Sequence, residues 1–180
     1  MVRFFPLSLT IIIFFDCAFA SLKITEISTK NNKFSITLNN SIQILNVELQ
    51  DNELKFPIYK SKNKQYKQIF VLKRDFKAYL KDSLLKNKVF NNIGSISSFN
   101  INKLYKLKNN TTVRAFASVI FDNEIEVECR IMQGKSGLWI AWPSTKINNK
   151  WVKNFKFVNK SLQKEVETKL IVDYTRSYEK

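Results

Sequence analysis

Arg114-Ala-Phe-Ala-Ser-Val-Ile-Phe-Asp-Asn-Glu-Ile-Glu-Val-Glu-Cys-Arg-Ile-Met-Gln-Gly-Lys-Ser-Gly-Leu-Trp-Ile-Ala-Trp-Pro-Ser144 is the stretch that decides the fold. Apolar and polar residues alternate from Arg114 to Phe121, the period of a half-buried strand. Asp122-Asn123 is a two-residue turn signal. Ile125, Val127, Cys129 and Ile131 then mark the apolar face of a second strand. Gly134-Lys135-Ser136-Gly137 turns the chain into Leu138–Trp142, and Pro143, which lacks a backbone N–H, stops the third strand. Three antiparallel strands joined by tight turns follow from these residues alone.

The same residues resemble the SpoVG family of small septation and regulatory proteins. A Gly-Leu-aromatic-aliphatic-Ala-x-Pro-Ser block runs from Gly137 to Ser144, after an Ala-x-Ala-Ser-Val-x-x-Asp-Asn block from Ala115 to Asn123. The resemblance covers about Phe99 to Tyr178. It implies a β-sheet followed by a helix, homodimer formation, and a cytoplasmic protein that in several cases binds DNA or RNA. Basic residues of the family's loop and helix are associated with that binding, and Lys146 falls in the corresponding loop. The family's Asp-Ile-Ala-His-Pro-Ile run is replaced here by Lys153-Asn-Phe-Lys-Phe-Val158.

Working outward, the first half of the chain reads as a degraded copy of the second. Phe56-Pro57 corresponds to Trp142-Pro143, and Asn39–Ile44 to Asp122–Val127. Phe76, Leu80 and Leu84 stand to Pro57 as Leu162, Val166 and Leu170 stand to Pro143, each trio at i, i+4, i+8 on one helix face. The expected fold class is α+β: two tandem SpoVG-like units, each an antiparallel sheet of four to five strands followed by a C-terminal helix. The first unit spans 21–86, with strands near 22–28, 33–39, 41–50, 53–58 and 66–72 and a helix near 74–86. Residues 87–98, rich in Asn and Ser, form a linker. The second unit spans 99–180, with strands near 99–106, 112–121, 124–132, 138–142 and 151–157 and a helix near 160–177 capped by Asn159 or Ser161. Two linked units predict an intrachain pseudo-dimer that hides edge strands.

Residues 1–20 read as a secretory signal peptide. Arg3 supplies the positive region and Phe4–Phe15 the apolar core. Ala18-Phe19-Ala20 is a small-x-small cleavage site, which places the mature start at Ser21. The apolar run is shorter than the roughly 20 residues that cross a bilayer, so the mature chain is expected to carry no transmembrane span. The expected location is therefore the periplasm, envelope or medium. The alternatives are an uncleaved membrane anchor, or the cytoplasm as in the family.

The chain has 180 residues, a 44% hydrophobic content and a formal net charge of +15. Such a field favours anionic partners: nucleic acid, anionic lipid or acidic wall polymer. No histidine is present, which removes the usual general base and metal ligand. No catalytic constellation, cofactor motif or metal-ligand spacing is found, and the reading is of a non-enzymatic protein. Ser161-Leu-Gln-Lys164 has a Ser-x-x-Lys spacing but reads as a helix start. Glu124, Glu126 and Glu128 share one strand face, expected to be its solvated side. Of the two cysteines, Cys129 sits among apolar neighbours and is expected to be buried and inert. Trp139 and Trp142 lie on opposite faces of one strand, so at most one belongs in the core. The candidate polyanion-binding residues are Lys146, Lys150, Lys153, Lys156, Lys160, Lys164, Lys169 and Arg176, with a solvated lysine face as the alternative. Protein partners are the other class of ligand left open.

Overall fold

The computed structural model describes residues 22–61, 64–91, 93–96, 98–108 and 111–176. The expected signal peptide, its cleavage site and the mature start at Ser21 lie outside them. The elements run in order β1 (Ile24–Lys30), β2 (Lys33–Leu38), β3 (Ile42–Gln50), β4 (Glu53–Lys55), β5 (Ile58–Ser61), β6 (Lys64–Lys67), β7 (Ile69–Val71) and α1 (Arg74–Leu85). Then come β8 (Phe99–Lys106), β9 (Val113–Phe121), β10 (Ile125–Gly134), β11 (Gly137–Ala141), β12 (Ser144–Ile147), β13 (Lys150–Lys153), β14 (Phe155–Phe157) and α2 (Lys160–Arg176). The fold is mixed α+β, built mostly of antiparallel strands with one helix closing each half.

Asparagine, more than glycine, makes the turns. Asn31-Asn32, Asn39-Asn40, Asp51-Asn52, Asp122-Asn123 and Asn148-Asn149 all have positive φ, between 45° and 63°. Two consecutive left-handed residues match the right-handed twist of the flanking strands, and Asn and Asp enter that region more readily than other side chains. Antiparallel pairing starts directly at these turns, as in Phe121↔Ile125 and Lys30↔Lys33.

The two main sheets exchange strands. One has the order β1-β2-β3-β14, with β4 also on β3; the other has β11-β10-β9-β8, with β7 also on β10. The physical reason is the length of the central strands. On one side of β10, β11 pairs only with Arg130–Gly134, leaving the backbone groups of Ile125–Val127 open; β7 takes that edge, with Val71 opposite Ile125 and Ile69 opposite Val127. On β3, β4 covers Glu48–Gln50 and β14 covers Ile42–Ile44, with Phe157 opposite Ile42 and Phe155 opposite Ile44. This corrects the strand plan read from sequence: each half contributes its last strand to the other half's sheet. Two hairpins, β5–β6 and β12–β13, were also missed.

The helices bury the faces their spacing predicted. Phe76, Leu80 and Leu84 of α1 are buried, and so are Leu162, Val166, Leu170 and Tyr174 of α2. Asn159 caps α2, its Oδ1 accepting the Leu162 N–H at 3.1 Å. α1 packs on β1, β4 and β7, and α2 on β8, β11 and β14. One continuous core includes both helices and both sheets. Within it Phe155 and Phe157 of β14 meet Trp142 at 5.2 and 5.0 Å and Phe121 at 6.2 and 6.0 Å. The segment between α1 and β8 has no helix or strand among the described residues. It still packs, because Ile96 is buried and Phe90 donates its N–H to the Ile24 carbonyl. No helix among the described residues is long and apolar enough to cross a membrane.

Candidate functional site

Two clefts open on the outer faces of the sheets, and they are built alike. Each lies between the sheet of one half and the small hairpin of the other. The first has a volume of about 750 Å³. Ser35, Leu45 and Asn46 form its floor, and Thr145 and Val152 of the β12–β13 hairpin form its wall. Lys30, Lys33, Lys55, Lys60 and Lys153 converge on it, against the single carboxylate of Glu48. Glu48 pairs with Lys33 at 2.7 Å, which leaves a net cationic rim. Asn154 is tied into the wall: its Nδ2 donates to Thr145 Oγ1 at 2.7 Å and its Oδ1 accepts from Asn46 Nδ2 at 3.0 Å.

The second cleft, of about 550 Å³, lies between the outer face of β8, β9 and β10 and the β5–β6 hairpin. Tyr59 and Tyr66 stand on the hairpin, Tyr105 on β8 and Phe116 on β9. Lys103, Ser118, Glu128 and Arg130 lie on the sheet between them, and Gln68 sits where the hairpin enters β7. The hairpins meet each other where Tyr59 stacks on Trp151, ring centroids 6.3 Å apart. Burial pushes the Glu128 carboxyl above its ordinary range; Lys103 opposes the shift and Glu126 adds to it.

The eight cationic residues expected from sequence are all exposed but do not form one site. Lys146, Lys150 and Lys153 belong to the β12–β13 hairpin, and only Lys153 lines the lysine-rich cleft. Lys156 is on β14. Lys160 begins α2 and donates to Gln163 Oε1. Lys164, Lys169 and Arg176 surround a shallow depression on α2 that also holds Glu165 and Asp173, and Lys169 pairs with Asp173 at 3.2 Å. Lys30, Lys33, Lys55 and Lys60 were missed because the topology, not the sequence, brings four separate segments together. Their one local signal is that Lys30 and Lys33 flank the Asn31-Asn32 turn.

The three glutamates are not a solvated face. Glu124 and Glu126 are buried, at 5% and 6% exposure. Glu124 Oε2 accepts the Leu22 N–H at 2.8 Å, and Lys73 lies 3.7 Å from its Oε1. Glu126 Oε1 accepts from Ser118 at 2.6 Å and Asn102 at 2.9 Å, with Lys103 at 3.3 Å. Cys129 is buried, and burial pushes its thiol up to about 12, far from the thiolate that nucleophilic chemistry uses. Trp142 joins the core and donates to Glu167 Oε1, while Trp139 and Trp151 are exposed. No cluster of three or more Cys, Asp or Glu that could hold a metal occurs among the described residues.

Fold and clefts together define a small, basic α+β protein with strand-exchanged sheets. The SpoVG family profile matches residues 97–179. A protein of Archaeoglobus fulgidus bearing the name septation protein SpoVG is 32% identical over 78 residues, which is 43% of this chain and 88% of the relative. A protein of the same name from Finegoldia magna is 31% identical over 70 residues, 38% of this chain and 65% of the relative. The chain belongs to the SpoVG family. No solved structure matches it.

Proposed function

We propose that this chain is a non-enzymatic SpoVG-family protein that binds an anionic polymer through its lysine-rich cleft, at the cell envelope and in a process connected with septation. The single observation that carries this is the convergence of Lys30, Lys33, Lys55, Lys60 and Lys153 from both halves around one carboxylate. The name of the relatives supports septation as the process. Replacing Lys30, Lys55, Lys60 and Lys153 by glutamine tests the reading. On duplex DNA each lost phosphate contact should flatten the slope of log affinity against log salt by about 0.9. Thermal stability should hardly change, because exposed charges contribute little to folding. Undiminished binding by the quadruple variant would overturn the reading.

A second reading, a nucleic-acid-binding regulator as in cytoplasmic members of the family, is favoured by the aromatic cleft. Export belongs to the first reading. Leu22 is fully buried and its N–H is held by Glu124, so the core takes hold directly after Ala18-Phe19-Ala20-Ser21. N-terminal sequencing of protein from the envelope fraction is expected to begin at Ser21; intact protein beginning at Met1 in the cytosol would sink this.

Residues 21–86 and 99–180 are, in this proposal, two SpoVG-like units joined by 87–98 into an intrachain counterpart of a dimer. The matching element order and the reciprocal pairing of β7 with β10 and β14 with β3 support it.

A further inference from the structure

Charge is not spread evenly along this chain. No Asp or Glu occurs between Leu54 and Arg74, or between Cys129 and Lys164. Each of those stretches contains one of the small hairpins, β5–β6 and β12–β13, which stand apart from the two main sheets. Lys60, Lys64, Lys67, Lys146, Lys150 and Lys153 on them are all exposed, and none makes an ion pair among the described residues. The hairpins touch where Tyr59 stacks on Trp151 and where Thr145 Oγ1 donates to the Ile58 carbonyl at 3.4 Å. Their cations therefore act as one field with no carboxylate of its own.

Bare apolar side chains lie inside that field. Trp151, Ile147 and Tyr66 are 55%, 50% and 45% exposed. In the β12–β13 register Lys146 stands opposite Trp151, and Ile147 opposite Lys150. Opposite residues share a face and successive residues alternate between faces, so both faces of the tip carry one apolar side chain and one lysine. A soluble polyanion or a folded partner meets a hairpin on one face and leaves the other apolar group in water. A layer of lipid headgroups surrounds an inserted tip on every side. There Trp and Tyr rings settle at the boundary between polar and apolar regions, and lysine stems lie along apolar surface with the ammonium among the phosphates. Strands of four residues fall far short of the roughly 9–11 that cross a bilayer, so the tip enters the interface without spanning it.

We propose that the paired hairpins dock this chain on an anionic lipid bilayer, with Ile147 and Trp151 entering the headgroup layer and the six lysines facing lipid phosphates. The lysine-rich cleft opens beside this surface, since Lys60, Ile147 and Lys153 border both. Cosedimentation of the full chain with vesicles tests the idea. Vesicles of one part phosphatidylglycerol to two parts phosphatidylcholine should take up the protein far better than phosphatidylcholine alone, and salt should weaken the uptake. Lys146→Gln and Lys150→Gln should each reduce it about fivefold. Ile147→Ser should reduce it by a similar factor, about that for transfer of the exposed half of one aliphatic side chain. Every chain keeps the same N-terminus, so differences between them read the hairpin alone. In a direct measurement, lipid brominated near the headgroup should quench the tryptophan emission of bound parent, and Trp151→Phe should remove most of the quenched part. The inference is overturned if phosphatidylglycerol makes no difference, if bound protein shows no quenching at Trp151, or if the three hairpin variants, with parental melting curves, partition as the parent does. Inorganic polyphosphate separates this inference from the reading of the lysine-rich cleft. Parental binding of polyphosphate without uptake by anionic vesicles overturns the docking surface and leaves that cleft's role in place.

Discussion

Glu126 and Glu128 point from the same strand and titrate in opposite senses. For Glu126, burial resists ionisation, but the bonds from Ser118, Asn102 and Lys103 outweigh it and hold the carboxyl below its ordinary value of 4.5. Its stabilisation is therefore present above the unfolded value and lost as pH falls through the folded one. For Glu128, burial dominates and the carboxyl lies above the ordinary value. The stability it contributes is full in acid and lost as pH rises through its folded value. Urea melts across the acid range should separate them. Glu126→Gln should lower stability at neutral pH and remove part of its fall below about pH 4.5. Glu128→Gln should leave neutral stability equal or slightly higher. The same sign for both variants at neutral pH would refute the assignment.

At the level of elements, α1 is held by one face. Leu80 is fully buried, whereas Leu85, five residues on and off that face, is 56% exposed. Leu80→Ala should cost about 2–5 kcal/mol through lost transfer energy and the cavity left behind. Leu85→Ala should change stability by less than about 0.5 kcal/mol. Equal losses in thermal melts would mean the helix is packed differently. Both helix faces were legible in the sequence because a 3.6-residue period needs only one strip of neighbours. The turns at Asn39-Asn40 and Asp122-Asn123 were legible too, since those residue types reach positive φ cheaply. The strands Ile69–Val71 and Phe155–Phe157 were read as ends of their own sheets. Three residues carry no period, and their partners are set by which edge of β3 or β10 lies open. The lysine-rich cleft was illegible for the same reason, apart from Lys153. The buried glutamates were misread because alternation names a face but not what covers it.

Across the whole molecule, the exchange of β7 and β14 makes the halves interdependent. Each sheet is closed by a strand from the other half, and Phe155 and Phe157 fill the core beside Phe121 and Trp142. Residues 22–91 and 98–176, produced as separate chains, should each fail to unfold cooperatively. Mixed, they should form a one-to-one complex with the circular dichroism of the intact protein. A separate half that melts cooperatively at the temperature of the full chain would refute the interdependence. Shared closure also explains why a chain with so basic a surface presents paired clefts: each hairpin is carried across onto the sheet it does not belong to.

The exchange also sets an order of events at the ribosome. When β3 has been made, the edge of Ile42–Ile44 waits for Phe155–Phe157, which are translated on the order of ten seconds later. An unpaired apolar edge in a nascent chain recruits other edges. A chain that ends anywhere before Phe155 therefore carries the open edge permanently, and premature termination late in this gene should yield aggregates in place of a working N-terminal fragment.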